Sequence, residues 1–162
     1  MRHWHRSGSP CRMMLVYNPG GHRRELEVAI KDLSPEVVLC ATFPPLQGIS
    51  FARVPQSERT VAVMHPRRRA GRLMVNAFQS LVHILRFRPC VIITSGADAA
   101  VASMVIGRTV FRRRTVFIES AGTLGPTLAG RLCHRFADLM LVQWPEQSQI
   151  YPRSVRLEAP LL

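Results

Sequence analysis

The residue types that can do acid–base or anion chemistry stand in short turns between apolar runs. In Asn18-Pro19-Gly20-Gly21-His22 the two glycines lack Cβ atoms. The turn can therefore bring backbone N–H groups to the start of a following helix, where the helix dipole favours an anion or a sugar hydroxyl. His22 at such an edge can titrate near neutrality and take a proton from an attacking hydroxyl, while capping the helix is the plainer role open to it. The spacing matches neither the GxxxxGK pattern of a phosphate loop nor the GxGxxG of a dinucleotide fold. Glu119, in Glu119-Ser120-Ala121-Gly122, is the second candidate: it either hydrogen-bonds a neighbouring loop or faces ligand. Ser95-Gly96-Ala97-Asp98 and Gln143-Trp144-Pro145-Glu146 complete the set. Asp98 reads as a helix-starting residue that balances the dipole.

The elements that must position these turns are legible from the apolar pattern. Short unalternated runs at Met13–Tyr17, Val37–Ala41, Thr60–Met64, Val91–Thr94, Val116–Ile118 and Leu139–Val142 have the length and composition of buried parallel strands. Between them, Arg23–Leu33, Gly71–Arg86, Asp98–Ile106 and Leu128–Ala137 repeat apolar residues at helical spacing. Strand and helix taking turns predicts an α/β fold, a Rossmann-like doubly wound parallel sheet in a single domain over residues 13–162, preceded by a flexible leader at 1–12. Ligands of such sheets bind outside the carboxyl ends of the strands, which is where all four turns fall.

The chain has 162 residues, 47% of them hydrophobic, which excludes a disordered tail. Its formal charge of +12 calls for an anionic partner. All 22 basic residues but Lys31 are arginine, a bias that a GC-rich genome produces as readily as phosphate recognition does. Arg67-Arg68-Arg69 and Arg72 precede a helix with a generous apolar face, a combination suited to an anionic bilayer. Arg112-Arg113-Arg114 reads as a solvated turn. Aromatic residues are not interleaved with the cations, so the footprint of a nucleic-acid binder is missing.

Cys11, Cys40, Cys90 and Cys133 form no CxxC pair and have no histidine at finger-like spacing, which argues against a structural zinc site. Three of them lie in apolar surroundings and read as core thiols. The longest stretch free of basic residues, Pro89–Gly107, holds Thr94-Ser95-Gly96-Ala97-Asp98 in its middle, a turn with a charge, and reads as strand, loop and helix rather than the roughly 20 apolar residues of a membrane span. Met13–Tyr17 is too short for a signal-peptide core. The expected location is the cytoplasm.

Taken in order, Gly20-Gly21-His22, Ile93-Thr94-Ser95-Gly96-Ala97, Ile118-Glu119-Ser120, Ala137-Asp138-Leu139, Val142-Gln143-Trp144-Pro145-Glu146 and Tyr151-Pro152 resemble one family. It is the acceptor-side, membrane-associated subunit of split GT-B glycosyltransferases: the dolichol-linked N-acetylglucosaminyltransferase subunit of eukaryotes and its bacterial exopolysaccharide and capsule counterparts. The resemblance runs from residue 13 to about 157 and is most specific from Phe117 to Pro152, with Gly130 and Arg131 on a helix between the motifs.

That resemblance implies the N-terminal half of a GT-B enzyme, catalytic only with a small donor-binding partner subunit. No cofactor is implied on this chain, and the nucleotide-sugar donor is expected on the partner. His22 would be the catalytic base and Glu119 the second catalytic residue, orienting the imidazole or holding a sugar hydroxyl. Gly20, Gly21, Ser95, Gly96 and Ser120 would bind a lipid-linked acceptor. Arg67, Arg68, Arg69 and Arg72 would hold the chain peripherally on the inner face of the cell membrane. Trp144, Glu146, Leu161 and Leu162 would contact the partner. The N-terminal membrane helix of the eukaryotic members is not expected here, so the resemblance is to the bacterial branch. Family members commonly show acidic and polar residues after the second strand, where Ala41-Thr42-Phe43-Pro44-Pro45 stands, and a basic residue after Glu119-Ser120, where Gly122 or Thr123 stands. The alternatives from other classes are a non-catalytic scaffold that recruits a donor-binding subunit to the membrane and an arginine-rich nucleic-acid-binding domain.

Overall fold

The structure, a computed structural model, describes residues 11–51, 57–96 and 98–161. Seven strands form one sheet: β1 (Arg12–Val16), β2 (Val37–Thr42), β3 (Ser57–Ala62), β4 (Val91–Thr94), β5 (Arg114–Ile118), β6 (Leu139–Val142) and β7 (Val155–Arg156). All neighbouring pairs are parallel, in the order β3-β2-β1-β4-β5-β6-β7. The order reverses at β1, which pairs with β2 on one side (Leu15 with Cys40) and β4 on the other (Leu15 with Ile93). This is the switch point of a doubly wound fold, where the loops after β1 and β4 diverge and leave a crevice.

The helices are α1 (Gly21–Ile30), α2 (Ala70–Phe87), α3 (Asp98–Thr109), α4 (Leu128–Cys133) and α5 (Pro145–Ile150), with a 3-10 turn at His134–Phe136. Alternate strand residues feed two cores, as the period of two requires. Met14, Val16, Ile92 and Phe117 pack with Ile84, Met104 and Cys133 from the α2, α3 and α4 layer. Leu15, Tyr17, Ile93 and Ile118 pack with Leu26 and Ile30 of α1 and with Ile49. Helix α3 lies close to the sheet because it buries small residues, Ala99, Ala100, Ala102, Ser103 and Gly107.

Four expectations need correction. The run at Thr60–Met64 is read as a buried strand, yet β3 spans Ser57–Ala62 and is largely exposed, since an edge strand has a neighbour on one side only. Residues 11 and 12, expected in the leader, belong to the fold: Arg12 opens β1, and Cys11 is disulfide-bonded to Cys90. Cys90 is thus an exposed, bridged cysteine, while Cys40 and Cys133 are the buried free thiols. The expected helix at 128–137 is α4 plus the 3-10 turn, and α5 and β7 go unforeseen because each is short. Residues 1–10 of the proposed leader lie outside the described residues.

No helix among the described residues is long and apolar enough to cross a membrane.

Candidate functional site

The loop after β1 enters α1 through Gly20, whose φ of +98° only glycine adopts at little cost; Gly96, after β4, has φ +100°. These two turns bring His22 against Ser95 across the switch point. His22 Nδ1 lies 2.9 Å from the Ser95 carbonyl oxygen, and the Ser95 hydroxyl donates back to the His22 carbonyl. A carbonyl accepts only from a protonated nitrogen, so Nδ1 carries the hydrogen and Nε2 keeps its lone pair. Nε2 makes no hydrogen bond to protein among the described residues. The ring borders a cavity of about 240 Å³ lined by Arg68, Asp98, Val101, Thr127, Leu128, Ala129 and Leu132.

Behind the imidazole stands Glu25, one turn along α1 and 1% exposed. Its Oε2 is 3.4 Å from His22 Nδ1, and its Oε1 accepts from the Ser120 hydroxyl at 3.0 Å and the Ala121 N–H at 2.7 Å. The imidazole pKa is raised above 6.5, chiefly by the close contact with the Glu25 carboxylate, with the Ser95 carbonyl and the more distant Glu119 adding to it and burial opposing. Sequence reasoning passes over Glu25; its signal is a glutamate three residues after a candidate base, hence on the same helix face.

The carboxylate beside His22 is thus that of Glu25; Glu119, expected to orient the imidazole or hold a sugar hydroxyl, lies elsewhere. Glu119 is fully buried at the end of β5, and its carboxylate accepts from the Tyr151 phenol at 2.9 Å and from the Ser120 N–H at 3.1 Å, on the side away from α1. The hydroxyls of Ser95 and Ser120, expected to meet acceptor, are engaged inside the protein by His22 and Glu25. Gly20 and Gly21 have nothing among the described residues within 4 Å of where a Cβ would be.

The stretch from Phe117 to Pro152 explains itself as the frame of the 119–123 loop. Gln147, fully buried in α5, donates to the carbonyls of Ser120 (2.9 Å) and Thr123 (2.7 Å) and accepts from the N–H groups of Gln143 and Trp144. Gln143 donates to the Glu119 carbonyl, and the Trp144 indole to that of Ala121. The loop so held is the one that holds Glu25.

Trp144 is half-buried by this contact and Glu146 is exposed. Leu161, expected to meet a partner, packs against the chain's own α1-side core, and its N–H donates to Gln143 Oε1 at 2.7 Å; Leu162 lies outside the described residues. Arg67, Arg68 and Arg69 are exposed between β3 and α2, and Arg72, in the first turn of α2, is half-buried. Arg68 also walls the His22 cavity.

Helix α2 is amphipathic in an inverted sense. It buries Asn76 and Ser80, the first donating to the Met64 carbonyl and the second bonded to Ser103 of α3. It exposes Met74 (74%), Phe78 (66%) and Leu85 (56%) along one side, with Leu73 and Val75 beside them.

Residues 50–159 match the family model described as "Oligosaccharide biosynthesis protein Alg14 like". The UDP-N-acetylglucosamine transferase subunit ALG14 of Eremothecium gossypii is 33% identical over 92 residues, covering 53% of this chain and 41% of that protein. The chain thus aligns with less than half the length of that relative. Among solved structures, MurG of Acinetobacter baumannii superposes with a TM-score of 0.66 at 14% identity, over 91% of this chain and 45% of MurG. The UDP-GlcNAc 2-epimerase of Methanocaldococcus jannaschii does so with a TM-score of 0.63 at 8% identity, over 88% of this chain and 42% of the epimerase. At such identities the likeness is one of fold, that of the N-terminal half of GT-B enzymes.

Proposed function

The chain belongs to the family of Alg14-like oligosaccharide biosynthesis proteins, and from that premise we propose that it is the acceptor-binding, membrane-associated subunit of a two-chain inverting glycosyltransferase. The acceptor is lipid-linked and the product a polysaccharide or glycolipid. The observation that carries this reading is the placement of His22 at the switch point of the sheet, with Nδ1–H held by the Ser95 carbonyl and the ring bordering a cavity, in a chain of this family.

The chemistry follows from that placement. The acceptor hydroxyl approaches Nε2, and as its oxygen attacks the anomeric carbon of the donor, its proton passes to the Nε2 lone pair. The nucleotide leaves from the opposite face, which makes the transfer inverting. Ser95 and Glu25 stabilise the imidazolium that results. The nucleotide sugar binds the donor-side partner, and the name of the Eremothecium relative points to UDP-N-acetylglucosamine as its class.

Membrane attachment is supported by α2. A helix that buries asparagine and serine while turning methionine, phenylalanine and leucine outward suits an apolar neighbour, and Arg67, Arg68, Arg69 and Arg72 at its start suit anionic headgroups. On this reading the chain sits peripherally on the cytoplasmic leaflet, within reach of a lipid-linked acceptor.

The test is reconstitution on vesicles containing anionic lipid. Transfer from UDP-N-acetylglucosamine to a lipid-linked acceptor should require both this chain and a donor-binding subunit. Full turnover by this chain alone would reject the two-chain reading, and so would full turnover by the donor-binding subunit alone.

A further inference from the structure

We propose that Glu25 is the positioning residue of this site, a buried carboxylate that clamps the His22 imidazole from behind and ties it to the loop after β5. The inference rests on the reading of His22 as the base.

Three observations carry it. Glu25 is 1% exposed, and a carboxylate removed from water persists only where protein groups replace its hydration. Its Oε1 is served by two donors, the Ser120 hydroxyl and the Ala121 N–H. Its Oε2 receives no regular hydrogen bond among the described residues and faces His22 Nδ1 at 3.4 Å. The Nδ1–H is thereby shared between the Ser95 carbonyl and a negative charge. The carbonyl alone would settle the tautomer; the charge adds an interaction that strengthens when the ring accepts a proton at Nε2.

The other charged groups facing the ring come from neighbouring elements. Arg68, before α2, and Asp98, at the start of α3, wall the same cavity with opposite signs. Glu119, just after β5, acts from farther off and is committed to Tyr151. Glu25 is the acidic group in direct contact.

The experiment follows the ring resonances of His22 by NMR in the full chain, assigned through their loss in His22→Gln. Glu25→Gln should lower the His22 titration midpoint from its raised position, and Glu25→Asp, which keeps the charge but withdraws it by one methylene, should lower it less. An unchanged midpoint in Glu25→Gln overturns the proposal. If that variant does not fold, Glu25→Asp decides: a wild-type midpoint overturns the proposal and a lowered one supports it. In the reconstituted complex, Glu25→Gln should cut turnover at neutral pH by about 10-fold or more, short of the loss on removing the base itself. A lowered midpoint with unaltered turnover would leave the Glu25–His22 contact standing and sink the assignment of His22 as base. Failure of the two readings is therefore distinguishable.

Discussion

The Tyr151 phenol donates to the Glu119 carboxylate at 2.9 Å in a space closed to solvent, and the pair is roofed by the backbone of α4 at Gly130. Burial and the neighbouring carboxylate raise the phenol's pKa, so it remains a donor throughout the physiological range. A Cβ at Gly130 would overlap both Glu119 Oε2 and Tyr151 Oη. The glycine thus lets a helix rest on a buried hydrogen bond.

Replacing Gly130 with alanine should destabilise the fold although alanine favours helices. Overpacking costs roughly 1–3 kcal/mol, more than the roughly 1 kcal/mol of helix propensity that alanine returns. Thermal unfolding of the full chain reads the difference. An unchanged or higher midpoint would mean that Glu119 and Tyr151 can shift aside without loss.

His22→Ala, with the donor-side partner present, should lower turnover by roughly 10²-fold or more, the range for a general base. Complex formation and vesicle binding should persist, because the ring holds together no distant elements beyond its contacts with Ser95 and Glu25. Near-wild-type turnover would move the base elsewhere, and loss of the complex would make the loop structural.

A raised His22 pKa has consequences for pH on two fronts. As a base, His22 works when neutral, so turnover should climb with pH through a midpoint above the unperturbed value of about 6.5. For stability the sign is opposite: the folded state holds the proton more tightly than the unfolded chain. The contribution is therefore complete below the unfolded pKa and disappears as pH rises through the folded one. Thermal midpoints of wild type and His22→Gln should differ most at low pH and converge above the folded pKa. A gap that widens with rising pH would contradict the Glu25 contact as the cause.

Reversing Arg67 and Arg68 to glutamate should release the chain from anionic vesicles at moderate salt, since each arginine near such a surface contributes about 1 kcal/mol. Met74→Ser with Phe78→Ser should weaken binding even at low salt, because apolar insertion then fails. Sedimentation with vesicles measures both. Binding that resists alkaline extraction, or that neither pair alters, would rule out peripheral attachment through α2.

The alternation of strands and helices was readable from the chain, and for a physical reason. Strands buried on both faces must be apolar throughout, as Met13–Val16, Val38–Ala41 and Val91–Ile93 are, and the helices between them show a stripe of period near 3.6. Their order along the chain places the turns at one sheet edge. The motif residues from Phe117 to Pro152 were equally visible, and they match their family model without any coordinates.

What each polar residue touches was decided only in three dimensions. Glu119 follows a central strand and Glu25 sits inside a helix, and nothing in their spacing says which carboxylate reaches His22; packing turns Glu119 toward Tyr151 and leaves Glu25 behind the imidazole. Cys11 and Cys90, 79 residues apart, meet because β1 and β4 are neighbours at the switch point. Gln147 reads as an ordinary helix residue until its amide is seen joining four backbone groups. Apolar periodicity is a local property and survives in the one-dimensional chain, whereas hydrogen-bond partners are set by which elements the sheet order makes adjacent.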